Sequence, residues 1–231
     1  MRTILHSDLN NFYASVECLR NPEIRDKPVV VVGSKEDRHG IVLAKNLIAK
    51  SAGVSTGDVW WEAKRKCGSE LVEVKADFAA YLDVSRAVRR IYEDYTDKIE
   101  AFGIDECWLD VTELAAHKSG EETALEIRSR IKKELGLTVS IGVSWNKIFA
   151  KLGSDIKKPD AVTVISRDNF RQIVWPLPAE ELLYVGRATK AKLNRMGIFT
   201  IGDLAEADKS ALVSRLGEWG AWLHDFANGQ D

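Results

Sequence analysis

Cysteine is scarce: Cys18, Cys67 and Cys107 are three in 231 residues, odd in number and far apart. That excludes a disulfide framework and shows no zinc-ligand spacing, so buried thiols in a reducing compartment are expected. No apolar run is long enough to cross a bilayer, and "MRTILHSDLNNFYASVE" turns polar too early for a signal peptide. A cytoplasmic protein with no membrane partner is the expectation. Neither sign of charge dominates, since 33 Lys and Arg stand against 35 Asp and Glu for a formal net charge of -2. Any affinity for nucleic acid must therefore come from local clusters of cations and not from the field of the whole chain. Internal repeats and low-complexity segments are also missing.

What is present is a soluble composition, 45% hydrophobic and 29% charged. The length allows one substantial core or two or three small packed subdomains. Strand candidates are "RTILH", "KPVVVVG", "IVLA", "ELVEV", "KIEAFGI", "CWLDV", "TVSIGVS" and "AVTVI". The second is a continuous apolar run of the kind buried on both faces. "NNFYASVECLRNPEI" reads as a short helix with Asn10 or Asn11 as N-cap and Pro22 beyond its end.

In "FAAYLDVSRAVRRIYEDY", helical spacing puts Phe78, Tyr81, Leu82, Ser85, Val88, Ile91, Tyr92 and Tyr95 on one face. "ALEIRSRIKKEL" does the same through Ile127, Ile131 and Leu135. Strands and helices interleave without a repeated unit, which favours α+β over a doubly wound sheet. After "VTVI", Pro176 and Pro178 punctuate the chain and strands give way to short helices, so a boundary is expected near residue 166.

One segment conflicts with its surroundings. In "FGIDECWLDV" the residues Phe102, Ile104, Trp108, Leu109 and Val111 suit a buried strand, yet Asp105 and Glu106 stand side by side within it. Desolvation disfavours a buried carboxylate, so something must offset the charge. A regular strand would point the two acids to opposite faces. Convergence requires a bend, which Gly103 would ease. Asp8 ends the first strand candidate, and carboxylates that meet at strand ends are hard oxygen ligands suited to magnesium. Taken alone, an Asp-Glu dipeptide is most often a solvated turn and a strand-terminal Asp a helix cap.

The order of segments resolves this. "HSDLNNFYASVE" resembles the opening signature of the Y-family translesion DNA polymerases, and "FGIDECWLDVT" looks like their second. "GVSWNKIFAKLGSDIKKPDA" is similar to the third, and "EELLYVGRATKAKLNRMGIFTIGDLA" to the helix-hairpin-helix of their thumb. The bacterial polymerase IV branch is nearest in style. The resemblance implies an α+β, right-hand-like core with a mixed or antiparallel palm sheet backed by helices, small fingers and a helical thumb. It puts the palm at 1–10 and 77–165, the fingers at 11–76 and the thumb at 166–231.

It further implies template-directed addition of deoxynucleotides to a primer 3′ end, with low fidelity and no proofreading. Two magnesium ions, with manganese as a substitute, would be held by Asp8, Asp105, Glu106 and the backbone carbonyl of Leu9. Tyr13 falls at the steric gate against ribonucleotides, while Lys158, Lys50 and the amides around Asn11, Phe12 and Tyr13 would meet the triphosphate. Gly186, Arg187, Lys190 and Lys192, joined by Arg195, would contact DNA phosphates. Partners would be primer-template DNA and deoxynucleoside triphosphates, with the protein a monomer. A sliding clamp would be reached only through a C-terminal part, and the little finger domain that follows the thumb in the family is not in this sequence.

Departures from the family pattern lie mainly in the fingers, where "LAKNLIAK" stands for a "TANYxAR" segment and gives Ala44, Leu47 and Lys50. Lys meets a phosphate as a point charge without the bidentate fork of Arg. Lys45 adds a cation that either faces inward or is solvated. Asn10 stands where the family often has Asp, and Tyr184 where another Gly is usual. The alternatives are a polymerase relic acting as a non-catalytic DNA-binding scaffold, and a nucleotidyl cyclase with similar paired acids. Plain core packing of Phe12 and Tyr13, and a solvated basic face around Arg187, are the simpler readings of those residues.

Overall fold

A computed structural model of the chain describes residues 2–33 and 40–231. Met1 and residues 34–39, which fall within the expected palm and fingers ranges, lie outside the described residues. The strands are β1 (Ile4–Leu9), β2 (Val29–Val32), β3 (Val42–Lys45), β4 (Val72–Lys75), β5 (Ile99–Ala101), β6 (Glu106–Asp110), β7 (Val139–Ser144) and β8 (Val162–Val164). The helices begin with α1 (Phe12–Arg20), α2 (Leu47–Ser51), α3 (Trp60–Cys67), α4 (Phe78–Glu93), α5 (Gly120–Leu135) and α6 (Lys147–Ile156). After them come α7 (Phe170–Ile173), α8 (Arg187–Arg195), α9 (Ile201–Glu206), α10 (Lys209–Leu216) and α11 (Glu218–Ala227).

β1 is the middle of a five-stranded sheet of order β5-β6-β1-β7-β8, antiparallel except for the β7–β8 pair. Covered on both edges and both faces, it is buried along its whole length. Alternation sends Leu5 and Leu9 to one face, where Leu109, Ile141 and Val143 join Tyr81, Val88 and Ile127 from α4 and α5 in the main core. β2 lies in a second sheet, β3-β2-β4, with β4 parallel to it. All four of its valines are buried, Val31 in the main core and Val30 and Val32 in a smaller cluster with Ala49 and Ala63.

The opposite face of the five-stranded sheet is covered by α6. A Cβ at Gly142 on β7 would run into the Ala150 carbonyl and the Ser154 amide, so only glycine lets the helix backbone come this close. Asn146 caps α6, its side chain accepting from the Phe149 amide at 2.7 Å. The far side of α6 gives Ile148, Phe149 and Leu152 to an apolar cluster with Val174, Leu182, Leu193, Ile201 and Leu223. Secondary structure changes type near residue 166 as expected, but this core runs across that point.

Three expectations change in detail. Phe78 and Leu82, placed on the buried face of α4, are 52% and 46% exposed. Phe78 is at the open end of the helix and Leu82 at the edge of a stripe centred on Tyr81, Ser85, Val88 and Tyr92. Asn11 precedes α1 in a left-handed conformation (φ 50°), and neither it nor Asn10 caps the helix with its side chain. Of the three free cysteines only Cys107 is fully buried. No helix among the described residues is long and apolar enough to cross a membrane.

Candidate active site

Register brings the acids together. Asp8 on β1 is the direct cross-strand partner of Glu106 on β6, so both side chains share the face that α6 covers. Asp105 lies just outside β6, and its carbonyl accepts the Leu9 amide at 3.1 Å. The bend before it exists, but Gly103 is not what permits it. Its φ is not left-handed, and a Cβ there would meet Asp105 Oδ1 at an ordinary 3.5 Å. α4 holds the bend instead: Arg89 Nη2 donates to the Gly103 carbonyl at 3.0 Å and Ser85 Oγ donates to that of Ile104.

Two lysines meet these carboxylates. Lys151 Nζ is 3.3 Å from Asp8 Oδ2 and 3.0 Å from Glu106 Oε2. Lys158 Nζ donates to Asp8 Oδ2 at 2.6 Å. Both also reach Asp155, at 3.2 Å from Lys151 and 2.7 Å from Lys158. Beneath them His6 is fully buried, with Nδ1 paired to Ser154 Oγ at 2.9 Å and Nε2 3.3 Å from Glu106 Oε2.

The charges respond unequally. Burial, reinforced by the charges of Asp8 and Glu106, pushes the Asp105 carboxyl up to about 6. Burial likewise raises Asp8 against the pull of Lys158. Burial also opposes the Glu106 carboxylate, yet the His6 ring and the Lys151 ammonium prevail and hold it down at about 2. Burial keeps the His6 imidazole below its ordinary value.

Of the nucleotide-side candidates, Tyr13 lies within reach of the Asp105 charge. Tyr13, in the first turn of α1, stacks on Tyr81 at 4.4 Å and 12° and meets Phe78 edge-on at 5.8 Å. Burial and the nearby Asp105 charge raise its phenol. Phe12 is core. Asn11 and Leu47 line one open groove of about 420 Å³ together with Arg25 and Thr138. Lys50 is exposed on α2, and Lys45, whose ammonium donates to Thr56 Oγ1 at 3.0 Å, is kept below its ordinary value by burial and by Lys50.

The helical end is less concentrated. Gly186 precedes α8 in extended backbone (φ -79°) with open space where a Cβ would stand, so local geometry does not require glycine. Arg187, Lys192 and Arg195 are exposed, and Lys190 pairs with Glu180 at 2.5 Å on the surface. Tyr184 takes φ 73°, the left-handed region, where its ring meets Trp219 at 5.6 Å.

Sequence reasoning missed Lys151, His6 and Ser154. A signal was there: "FAKLGSD" puts Lys151, Ser154 and Asp155 on one helical face at spacings of three and four.

A family model described as impB/mucB/samB matches residues 7–155, so the chain belongs to that family. It is 62% identical over its whole length to the DNA polymerase IV of Acetivibrio thermocellus, of which it covers 58%. It is 44% identical over 99% of its length to DNA polymerase IV 1 of Bacillus subtilis, covering 55% of that protein. The chain thus spans little more than half the length of these relatives. Among solved structures, a Y-family DNA polymerase chimera superposes with a TM-score of 0.92 at 28% identity, over 99% of this chain and 68% of the other. DinB from Sulfolobus solfataricus gives 0.89 at 28%, over 98% and 67%. The α+β architecture is therefore that of Y-family polymerase structures.

Proposed function

We propose that this chain is the catalytic core of a template-directed DNA polymerase of the translesion type, extending a primer 3′ end with deoxynucleotides. The observation that carries the reading is the meeting of Asp8, Asp105 and Glu106 at one end of a buried strand pair. The five-stranded sheet serves as palm, the β3-β2-β4 unit as fingers and the helices after residue 166 as thumb. The nucleotidyl cyclase and scaffold readings find less support, since the relatives named above are DNA polymerases.

Among the described residues no group of three His, Cys, Asp or Glu is closed around one point, and lysines lie on the carboxylates. The donor chemistry nevertheless fits a hard cation. Asp8 and Glu106 are paired across the strands with Asp105 adjoining, and burial together with the charges of Asp8 and Glu106 raises the Asp105 carboxyl, so three oxygen-donor side chains meet with like charges close together. Asp8, Asp105, Glu106 and the Leu9 carbonyl would hold the ions, two magnesium with manganese as a substitute. When bound, they supply activation of the primer hydroxyl and charge stabilisation at the leaving pyrophosphate.

The chain's own contribution is positioning, with no covalent enzyme intermediate. Tyr13, braced by Tyr81, presents a wall to the sugar and rejects a 2′-hydroxyl by shape. Lys158 presents an ammonium to the phosphates next to Asp8. The first-turn amides of α1 offer donors at a helix N-terminus. Lys50 puts a point charge where the family has a bidentate guanidinium, and Ala44 and Leu47 lack hydrogen-bonding groups, which implies weaker nucleotide binding. Gly186, Arg187, Lys190 and Lys192 position duplex DNA. The protein works as a cytoplasmic monomer on primer-template DNA.

Primer extension with magnesium and four deoxynucleotides tests the reading. Wild type should extend the primer and Asp105→Ala should not. Equal DNA binding by both with no extension by either would favour the scaffold.

A further inference from the structure

Two of the acids proposed to hold the cation already share an ammonium of the chain itself. Asp8 and Glu106 stand directly opposite each other on a buried face, where like charges repel. Lys151 reaches both, at 3.3 Å and 3.0 Å, and only 13% of its side chain is exposed. No other described lysine or arginine touches Glu106. The close approach at Gly142 fixes the helix that carries Lys151, so the root of the side chain cannot move away while its stem can.

A second carboxylate is within reach. Asp155, one turn along α6, contacts the same ammonium at 3.2 Å and is the more exposed acceptor, at 38% against 8% for Asp8. It also shares Lys158 with Asp8, at 2.7 Å and 2.6 Å. Each lysine thus lies between a buried acid and the same outer one. A lysine can exchange between such acceptors by rotating its stem, with an ion pair present at either end.

We propose that Lys151 is the resident counter-cation of the Asp8–Glu106 pair and that Asp155 receives it when a divalent cation enters. This rests on the reading of Asp8 and Glu106 as cation ligands. Lys151 and the incoming ion compete for the same oxygens, so cation affinity is set by how readily the ammonium leaves. Lys151 keeps the acid pair folded in the absence of metal, and Asp155 lowers the cost of releasing it. Lys151 and Asp155 are positioning residues: neither needs to touch the substrate.

Calorimetric titration of manganese into the full chain, without DNA or nucleotide, tests this. Lys151→Met should bind manganese about tenfold more tightly than wild type, the change of one ion pair. In chelator its thermal midpoint should fall below that of wild type, and manganese should restore it. Asp155→Asn should bind more weakly, and that loss should vanish in the Lys151→Met background. Lys151→Gln, which keeps a polar head, replaces the methionine variant if the latter does not fold. Unchanged or weaker binding by the Lys151 variants, or an Asp155→Asn effect that is the same in both backgrounds, overturns the inference alone. Absence of manganese binding in every variant overturns it together with the assignment of the acids as cation ligands.

Discussion

Asp8 and Glu106 face each other across the antiparallel β1–β6 pair. The strand register alone sets two carboxylates on one buried face, and Lys151 reaches between them from α6. The site is therefore built from three segments far apart in sequence, and its geometry depends on how closely α6 lies on the sheet.

That closeness is testable at Gly142. A methyl group there must displace the α6 backbone at Ala150 and Ser154, since the obstacles are main-chain atoms that cannot rotate aside. Gly142→Ala should lose roughly 2–3 kcal/mol of stability. Thermal unfolding should show the midpoint lowered by roughly 5–10 °C. An unchanged midpoint would mean that the helix can move away at little cost.

Asp160 gives a prediction in pH. Burial opposes its charge, but Arg128 Nε at 2.7 Å and Lys132 Nζ at 2.8 Å prevail and hold the carboxyl below its ordinary 3.8. A depressed folded pKa contributes stability that is complete above the unfolded value and is lost as pH falls through the folded one. Asp160→Asn, which tolerates the φ of 54°, should cost roughly 0.5–1 kcal/mol at pH 7. The difference between the two proteins should shrink below about pH 4. Urea unfolding at pH 7 and pH 3 would check it, and a gap that persists at pH 3 would point to something other than charge.

Tyr13 and Tyr81 separate gating from stability. Tyr81 donates its hydroxyl to the buried Glu17 at 2.7 Å while its ring supports Tyr13. Tyr81→Phe keeps the stack, so it should cost roughly 1–3 kcal/mol of stability and leave sugar discrimination unchanged. Tyr13→Ala should raise ribonucleotide incorporation at least about tenfold relative to deoxynucleotide. Single-nucleotide extension with each substrate distinguishes them.

Much of this was legible in the sequence because burial and spacing are local properties. The valines of β2 and the stripe of Tyr81, Val88 and Tyr92 follow from periodicity. Asp8, Asp105 and Glu106 could be named from their motifs, but their meeting depends on pairing register between residues about a hundred positions apart. For Lys151 the helical spacing of "FAKLGSD" shows which residues share its face, but not that this face lies on the two acids, because that depends on how the helix docks on the sheet. Gly103 misled because a glycine beside a bend suggests a cause, whereas Ser85 and Arg89 of another helix hold it.

The most direct test of the acid pair is single-turnover primer extension by Asp8→Asn and Glu106→Gln, beside wild type, with primer-template binding measured on the same preparations. Each substitution removes one charge and keeps the shape. Both variants should bind DNA as wild type does and extend the primer at least roughly 10²- to 10³-fold more slowly. Extension at the wild-type rate by either variant would contradict the assignment of Asp8 and Glu106 as the centre of the reaction.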